Sequence, residues 1–178
     1  MIRAAVLVVA MALGLQPSSA QAPKDAPSVD QPATKTYLRE AAIADMFGVE
    51  AGKLALNKAS REDVRKFART TVDQRSAGLR KLKDMTSSAQ LESQMPKTVD
   101  KVHESKLEEL RSVQGAEFDR TYLDMQVKAH ETALTLHSAF ARATQDGPLK
   151  SYADETAALI ERHLGELRSI AKLAPARS

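Results

Sequence analysis

Four polar side chains interrupt apolar helical stripes: Glu50, Arg75, His130 and His163. A carboxylate and two imidazoles suit zinc, iron, copper or manganese, and three such ligands leave a coordination position open. Arginine cannot join the set, because its guanidinium stays protonated and only donates. The same four residues also allow a metal-free arrangement. A buried charge without a partner is costly, so Glu50 and Arg75 are expected to pair, with both imidazoles hydrogen-bonded around them. This buried polar layer of Glu50, Arg75, His130 and His163 is the favoured expectation. A divalent transition metal held by Glu50, His130 and His163 is the alternative.

The elements that must position these residues are long helices. The first is predicted over Thr36–Lys58, with Ile43, Phe47, Glu50 and Leu54 on one stripe. Ser60 opens the second, with Asp63 three residues later resembling a capping box. Its stripe reads Val64, Ala68, Thr71, Arg75, Leu79 and Leu82, and it ends near Met85. A polar connection leads to a short helix at Val99–Ser112. Gly115 opens the third long helix, with Phe118, Tyr122, Met125, Ala129, Ala133, Leu136 and Phe140 on one face. A parallel row holds Leu123, Val127, His130, Leu134 and His137. Asp146-Gly147-Pro148 breaks the chain. The fourth long helix then runs to about Leu173, with Tyr152, Thr156, Leu159, Ile160, His163, Leu167 and Ile170 inward. Spacings of three and four mark amphipathic helices, and no strand is evident.

Short links within each helix pair imply two antiparallel hairpins, and the long link between them allows a crossover. The expected fold is all-α: a ferritin-like antiparallel four-helix bundle with a short extra helix in the crossover between the second and third long helices. Each of the four polar residues falls near the middle of its helix. Midpoints of similar helices coincide whichever way each runs, so one polar layer is expected.

Several chemistries are not expected. A di-iron centre needs a carboxylate from each of two helices and a Glu-x-x-His motif from each of the other two. None of the four long helices carries that motif, and Arg75 would repel a cation. There is no cysteine, which removes thiolate chemistry and disulfides. The glycines never cluster into a phosphate-cradling loop, and no nucleophile stands with a histidine and an acid beside an exposing turn. Residues 61–83 carry an excess of Lys and Arg, but no aromatic residues interleave to stack bases, so nucleic acid is not an expected partner. His137 lies two turns beyond His130, about 10 Å along the axis, and is expected to pack at the core edge. His103 is expected to face solvent. Tyr122 and Tyr152 are expected to point their hydroxyls at bundle ends, and Met46 and Met125 to fill core space.

The ends of the chain speak to destination. Residues 1–22 combine a positive start, the apolar run Ala4–Leu15 and small residues through Ala20-Gln21-Ala22. That is the pattern of a secretory signal peptide, cleaved after Ala20 or Ala22, and the run is too short to span a bilayer. Residues 23–35 read as a flexible, proline-containing leader, and residues 36–174 as one domain. The chain is expected to be secreted across the inner membrane into the periplasm, with no transmembrane segment after cleavage.

Several stretches carry a family resemblance. They are Val49-Glu50-Ala51-Gly52-Lys53-Leu54-Ala55, Phe67-Ala68 with Val72-Asp73, Phe118-Asp119-Arg120-Thr121-Tyr122-Leu123-Asp124, Ala129-His130 and His163-Leu164. In this order they resemble the exported bacterial proteins grouped as domain-of-unknown-function family 4142, placed among ferritin-like folds. The resemblance covers about Tyr37 to Ala171 and implies fold and export, not a biochemical role. Members of that family usually have two acidic residues and a histidine after the hydrophobic pair on the second helix. Here Val72-Asp73-Gln74-Arg75 puts arginine at the histidine position. The expected role is therefore a non-enzymatic binding or interaction protein of the cell envelope, stress-related in setting. A metal-binding or redox protein is the alternative, and a scaffold or homo-oligomer is a third reading.

Overall fold

A computed structural model describes residues 32–88, 91 and 95–173. The proposed signal peptide and residues 23–31 of the leader lie outside the described residues. The chain forms α1 (Pro32–Lys58), α2 (Glu62–Ser88), α3 (Lys101–Ser112), α4 (Gly115–Ala143) and α5 (Gly147–Lys172). Among the described residues there is no strand, and no helix is long and apolar enough to cross a membrane. The helix α1 starts at Pro32, so residues 32–35 continue the helix instead of the leader, and Thr34 is buried.

Side-chain contacts fix the directions. The start of α1 meets the end of α4 where Tyr37 stacks on Phe140, with ring centroids 3.7 Å apart. The start of α2 meets the end of α5 where Arg61 Nη2 donates to the Ile170 carbonyl at 3.1 Å. The other end of that pair is joined by Lys81 and Glu155 at 2.7 Å. Each long helix is thus antiparallel to its two neighbours, while α2 and α4 run parallel across the diagonal. The crossover carrying α3 makes that possible, and Leu107 and Leu110 bury it against the bundle.

Local signals set the helix ends. The Asp100 carboxylate accepts from the His103 N–H at 2.9 Å at the start of α3. Asp146 does the same for Leu149 at 3.0 Å in α5, with Pro148 in the first turn, where its missing N–H costs nothing. The capping box expected at Ser60 and Asp63 does not form. Asp119 of α4 takes its place, accepting from the Ser60 N–H at 3.0 Å, the Arg61 N–H at 3.1 Å and the Ser60 hydroxyl. Asp63 instead turns to the Arg61 guanidinium, with Nη2 at 2.5 Å.

The apolar core splits into two main groups. One, around Phe47, Phe67, Leu107, Phe118 and Tyr122, fills the end holding the α1–α2 turn. The other, around Tyr37, Leu38, Leu82, Phe140 and Tyr152, fills the opposite end. Between them lies a band of buried polar residues: Asp45, Thr71, Arg75, Gln126, His130, His137 and His163.

Candidate functional site

The waist of the bundle is polar, as the sequence led one to expect, but its carboxylate is a different one. Glu50 is exposed, its side chain 47% accessible, and it binds Lys53 at 2.7 Å one turn along the same helix. The acid inside is Asp45, whose side chain is 3% accessible and accepts from Arg75 Nη1 at 3.0 Å. The expected Glu50–Arg75 pair is therefore an Asp45–Arg75 pair. The physical reason is register. The buried seam of α1 passes through Thr34, Leu38, Ala41, Asp45, Gly48, Gly52 and Ala55, alternating steps of four and three. Glu50 stands five residues from Asp45, about 140° around the helix, and faces out.

Two glycines make room for the pair. A Cβ on Gly78 would lie 2.5 Å from Asp45 Oδ2, so any other residue in α2 would strike the carboxylate. A Cβ on Gly48 would lie 2.9 Å from Arg75 Cγ and 3.5 Å from its Nε. The bare backbone at Gly48 lets the arginine cross α1 and reach the space between α1 and α4. Tyr152 also donates to Asp45, at 3.4 Å, so its hydroxyl points to the waist and not to a bundle end. Burial pushes the Asp45 carboxyl above its ordinary range, while the Arg75 charge and the hydrogen bonds pull it back. Burial raises the Tyr37 and Tyr152 hydroxyls as well, with the Asp45 charge adding to it.

Three imidazoles surround Arg75. His130 Nδ1 lies 2.8 Å from the Gln126 carbonyl. A carbonyl only accepts, so Nδ1 carries the proton and Nε2 holds a lone pair. His130 Nε2, His137 Nε2, His163 Nδ1 and Gln126 Nε2 are buried without a protein partner. The His130 and His163 rings are 5.5 Å apart; His130 tilts against Phe67 and His163 meets it edge-on. His137 sits with its Nδ1 3.0 Å from the Tyr37 hydroxyl. Burial is the main cause, with the Arg75 charge second, that lowers His130 and His137 to about 3 and His163 to about 4. All three are neutral near pH 7.

A cleft of about 210 Å³ opens beside this layer between α1 and α4, with α3 at its rim. Arg75, Gln126 and His130 line it together with Phe47 and Gly48. His103, expected in solvent, is half-buried at the rim, its ring 5.0 Å from that of Phe47 and its Nδ1 2.7 Å from Asp100. The three residues Glu50, His130 and His163 do not converge. Among the described residues no group of three or more His, Cys, Asp or Glu stands close enough to hold a metal ion. Asp45, Gln126 and Gly48 were not among the expected site residues. The signal for Asp45 was its place on a seam of small residues spaced by three and four.

No curated protein matches the chain. A crystal structure described as a secreted DUF305 protein from Streptomyces coelicolor superposes with a TM-score of 0.69 at 12% identity. It covers 85% of this chain and 100% of its own, a likeness of fold alone. The sequence profile of the domain of unknown function DUF4142 matches residues 16–170. On that match, across nearly the whole of the chain, the protein belongs to the DUF4142 family.

Proposed function

We propose that this chain is an exported, non-enzymatic binding protein of the cell envelope, acting in the periplasm, and that the waist cleft is its binding site. The carrying observation is a cleft of about 210 Å³ that reaches the buried polar layer, with Arg75, Gln126 and His130 among the residues lining it. Binding is favoured over catalysis by the imidazoles themselves. A general base works best with a pKa near the operating pH, and these are pulled down to about 3 and 4. Export is supported by the leader-like residues 1–22 and by the secreted description of the similar structure.

A second reading is a divalent transition metal on His130 and His163, favoured by ring centroids 5.5 Å apart and by the unpartnered nitrogens. Glu50 has no part in it, being outside and bound to Lys53. Self-association or an envelope partner is a separate proposal, which sizing of the mature chain addresses.

The test is a thermal-shift panel of small polar anions, cations, neutral molecules and divalent metals. It compares the wild type with Ala129→Leu, which fills the cleft. A compound that stabilises only the wild type supports the reading. If every class shifts the two proteins equally, the cleft is not a binding site. Metal content of protein purified without chelator or affinity tag decides the second reading: a stoichiometric ion lost in His130→Ala, His163→Ala supports it, and metal-free protein removes it.

A further inference from the structure

The crossover helix α3 packs on α1 and α4, which leaves the outer face of α2 turned to solvent. We propose that this face, with Lys66, Arg69, Arg80 and Lys83, docks on the surface of an anionic phospholipid bilayer. The docking is peripheral and does not involve the waist cleft, so it goes beyond the binding role proposed above.

Contacts on three sides orient α2. Arg75 reaches inward to Asp45, Val72 lies against Gly52 of α1, and Lys81 meets Glu155 of α5. At about 100° per residue, Lys66, Arg69 and Arg80 stand about 120–180° around the helix from Arg75, and Lys83 about 80°, on the α1 side. All four are exposed. Lys53, Arg65, Lys81 and Lys150 each hold a carboxylate, whereas no carboxylate of the described residues holds any of these four. The bias extends to the whole hairpin. Residues 32–88 carry twelve Lys and Arg against seven Asp and Glu, and residues 115–173 carry seven against nine. The first hairpin is thus the basic side of the molecule and the second its acidic side.

Shape and spacing select the partner. From Lys66 to Lys83 the face runs about 26 Å along one helix, and a convex helix edge cannot enclose a small anion. Asp73 and Asp84 share the face and are exposed. The cations therefore stand in two groups, Lys66 with Arg69 and Arg80 with Lys83, about 17 Å apart with Asp73 between them. A stiff polyanion with evenly spaced charge would meet that carboxylate. Lipids diffuse, so anionic ones gather under each group and neutral ones lie under Asp73. A second copy docked by a two-fold axis would set one basic face on another. Each Lys or Arg near an anionic bilayer is worth about fivefold in affinity. With two acids opposing four cations, the docking is weak and sensitive to salt.

The experiment is co-sedimentation of the mature chain with vesicles, one set phosphatidylcholine alone and the other one-third phosphatidylglycerol in phosphatidylcholine. At about 0.05 M salt the chain is expected to pellet only with the anionic set, and at about 0.5 M salt to stay in solution. Arg69→Glu, Arg80→Glu should weaken binding by more than about 25-fold with an unchanged melting temperature, because both side chains are exposed. Lys128→Glu, Arg142→Glu makes the same change of net charge at exposed positions of α4, across the diagonal, and should weaken it no more than about threefold. If the α2 reversal does not fold, Lys66→Gln, Lys83→Gln gives the same readout at about 25-fold. Equal losses from the α2 and α4 reversals overturn the proposal, as do equal pelleting with both vesicle sets and binding that survives high salt. Absence of pelleting at low salt overturns it as well. Sizing and a polyglutamate titration then distinguish a second copy from a soluble polyanion as the occupant. None of these results bears on the waist cleft.

Discussion

Acid should destabilise this protein steeply, and the reason lies in its three buried imidazoles. In the unfolded chain a histidine titrates near 6.5. In the fold, burial first and Arg75 second hold His130 and His137 down to about 3 and His163 to about 4. Below about pH 6.5 the unfolded state takes up protons that the folded state refuses. Stability is therefore complete above that pH and falls as the pH drops, levelling off near pH 3–4. Between pH 7 and pH 5 each histidine withdraws about 2 kcal/mol, or about 6 kcal/mol for the three. Asp45 acts in the opposite direction. Its carboxyl is held above the ordinary range, so the folded state accepts that proton more readily than the unfolded state and returns part of the loss. The histidine share of about 6 kcal/mol, which Asp45 reduces, compares with a total stability of about 5–15 kcal/mol for a domain of ordinary size. Urea titrations at pH 7, 6 and 5, followed by helical circular dichroism, measure it directly. Near pH 5 the three histidines alone give a slope approaching about 4 kcal/mol per pH unit, which Asp45 lowers, and His130→Gln should remove about a third of the histidine part. An unfolding midpoint that stays level from pH 7 to pH 5 would show that these rings are not held neutral in a buried layer.

The ion pair makes its own prediction: Arg75→Leu strands Asp45 and should cost about 3–5 kcal/mol. Adding Asp45→Leu should recover more than half of that in a urea titration at pH 7, whereas strictly additive losses would contradict the pairing. Glu50→Ala should change stability by no more than about 0.5 kcal/mol, because its contact with Lys53 is exposed. A loss above about 2 kcal/mol would put Glu50 back inside the bundle. Two helical glycines should respond with opposite signs. Gly165→Ala has open space around it and should gain up to about 1 kcal/mol of helix propensity. Gly78→Ala would place a carbon 2.5 Å from Asp45 Oδ2 and should lose stability despite the same propensity gain. Equal thermal shifts for the two would show that Gly78 is not needed by the carboxylate.

The sequence disclosed the bundle because α2, α4 and α5 write their buried faces in large residues. Val64, Leu82, Phe118, Tyr122, Ile160 and Leu167 are all buried at helical spacing. Arg75, His130 and His163 stood out against that background and are all inside. The face of α1 was harder to read. Its seam is built from Ala41, Gly48, Gly52 and Ala55, which carry little hydrophobic signal, so bulkier Ile43, Phe47 and Leu54 pulled the expected stripe toward Glu50. Small residues belong there because α1 and α2 approach closely, a fact about two helices that neither reveals alone. The cap on α2 was hidden for a similar reason. A sequence pattern can propose Asp63, three residues from Ser60, but not Asp119, fifty-nine residues away.

That distant cap has a consequence for how the molecule comes together. The exposed amides at the head of α2 find their acceptor only once α4 has arrived. The first hairpin thus remains frayed at its own bend until the second half of the chain is present. Cutting the gene between the two hairpins should therefore yield fragments that are each less ordered than their share of the whole, and that recover order on mixing.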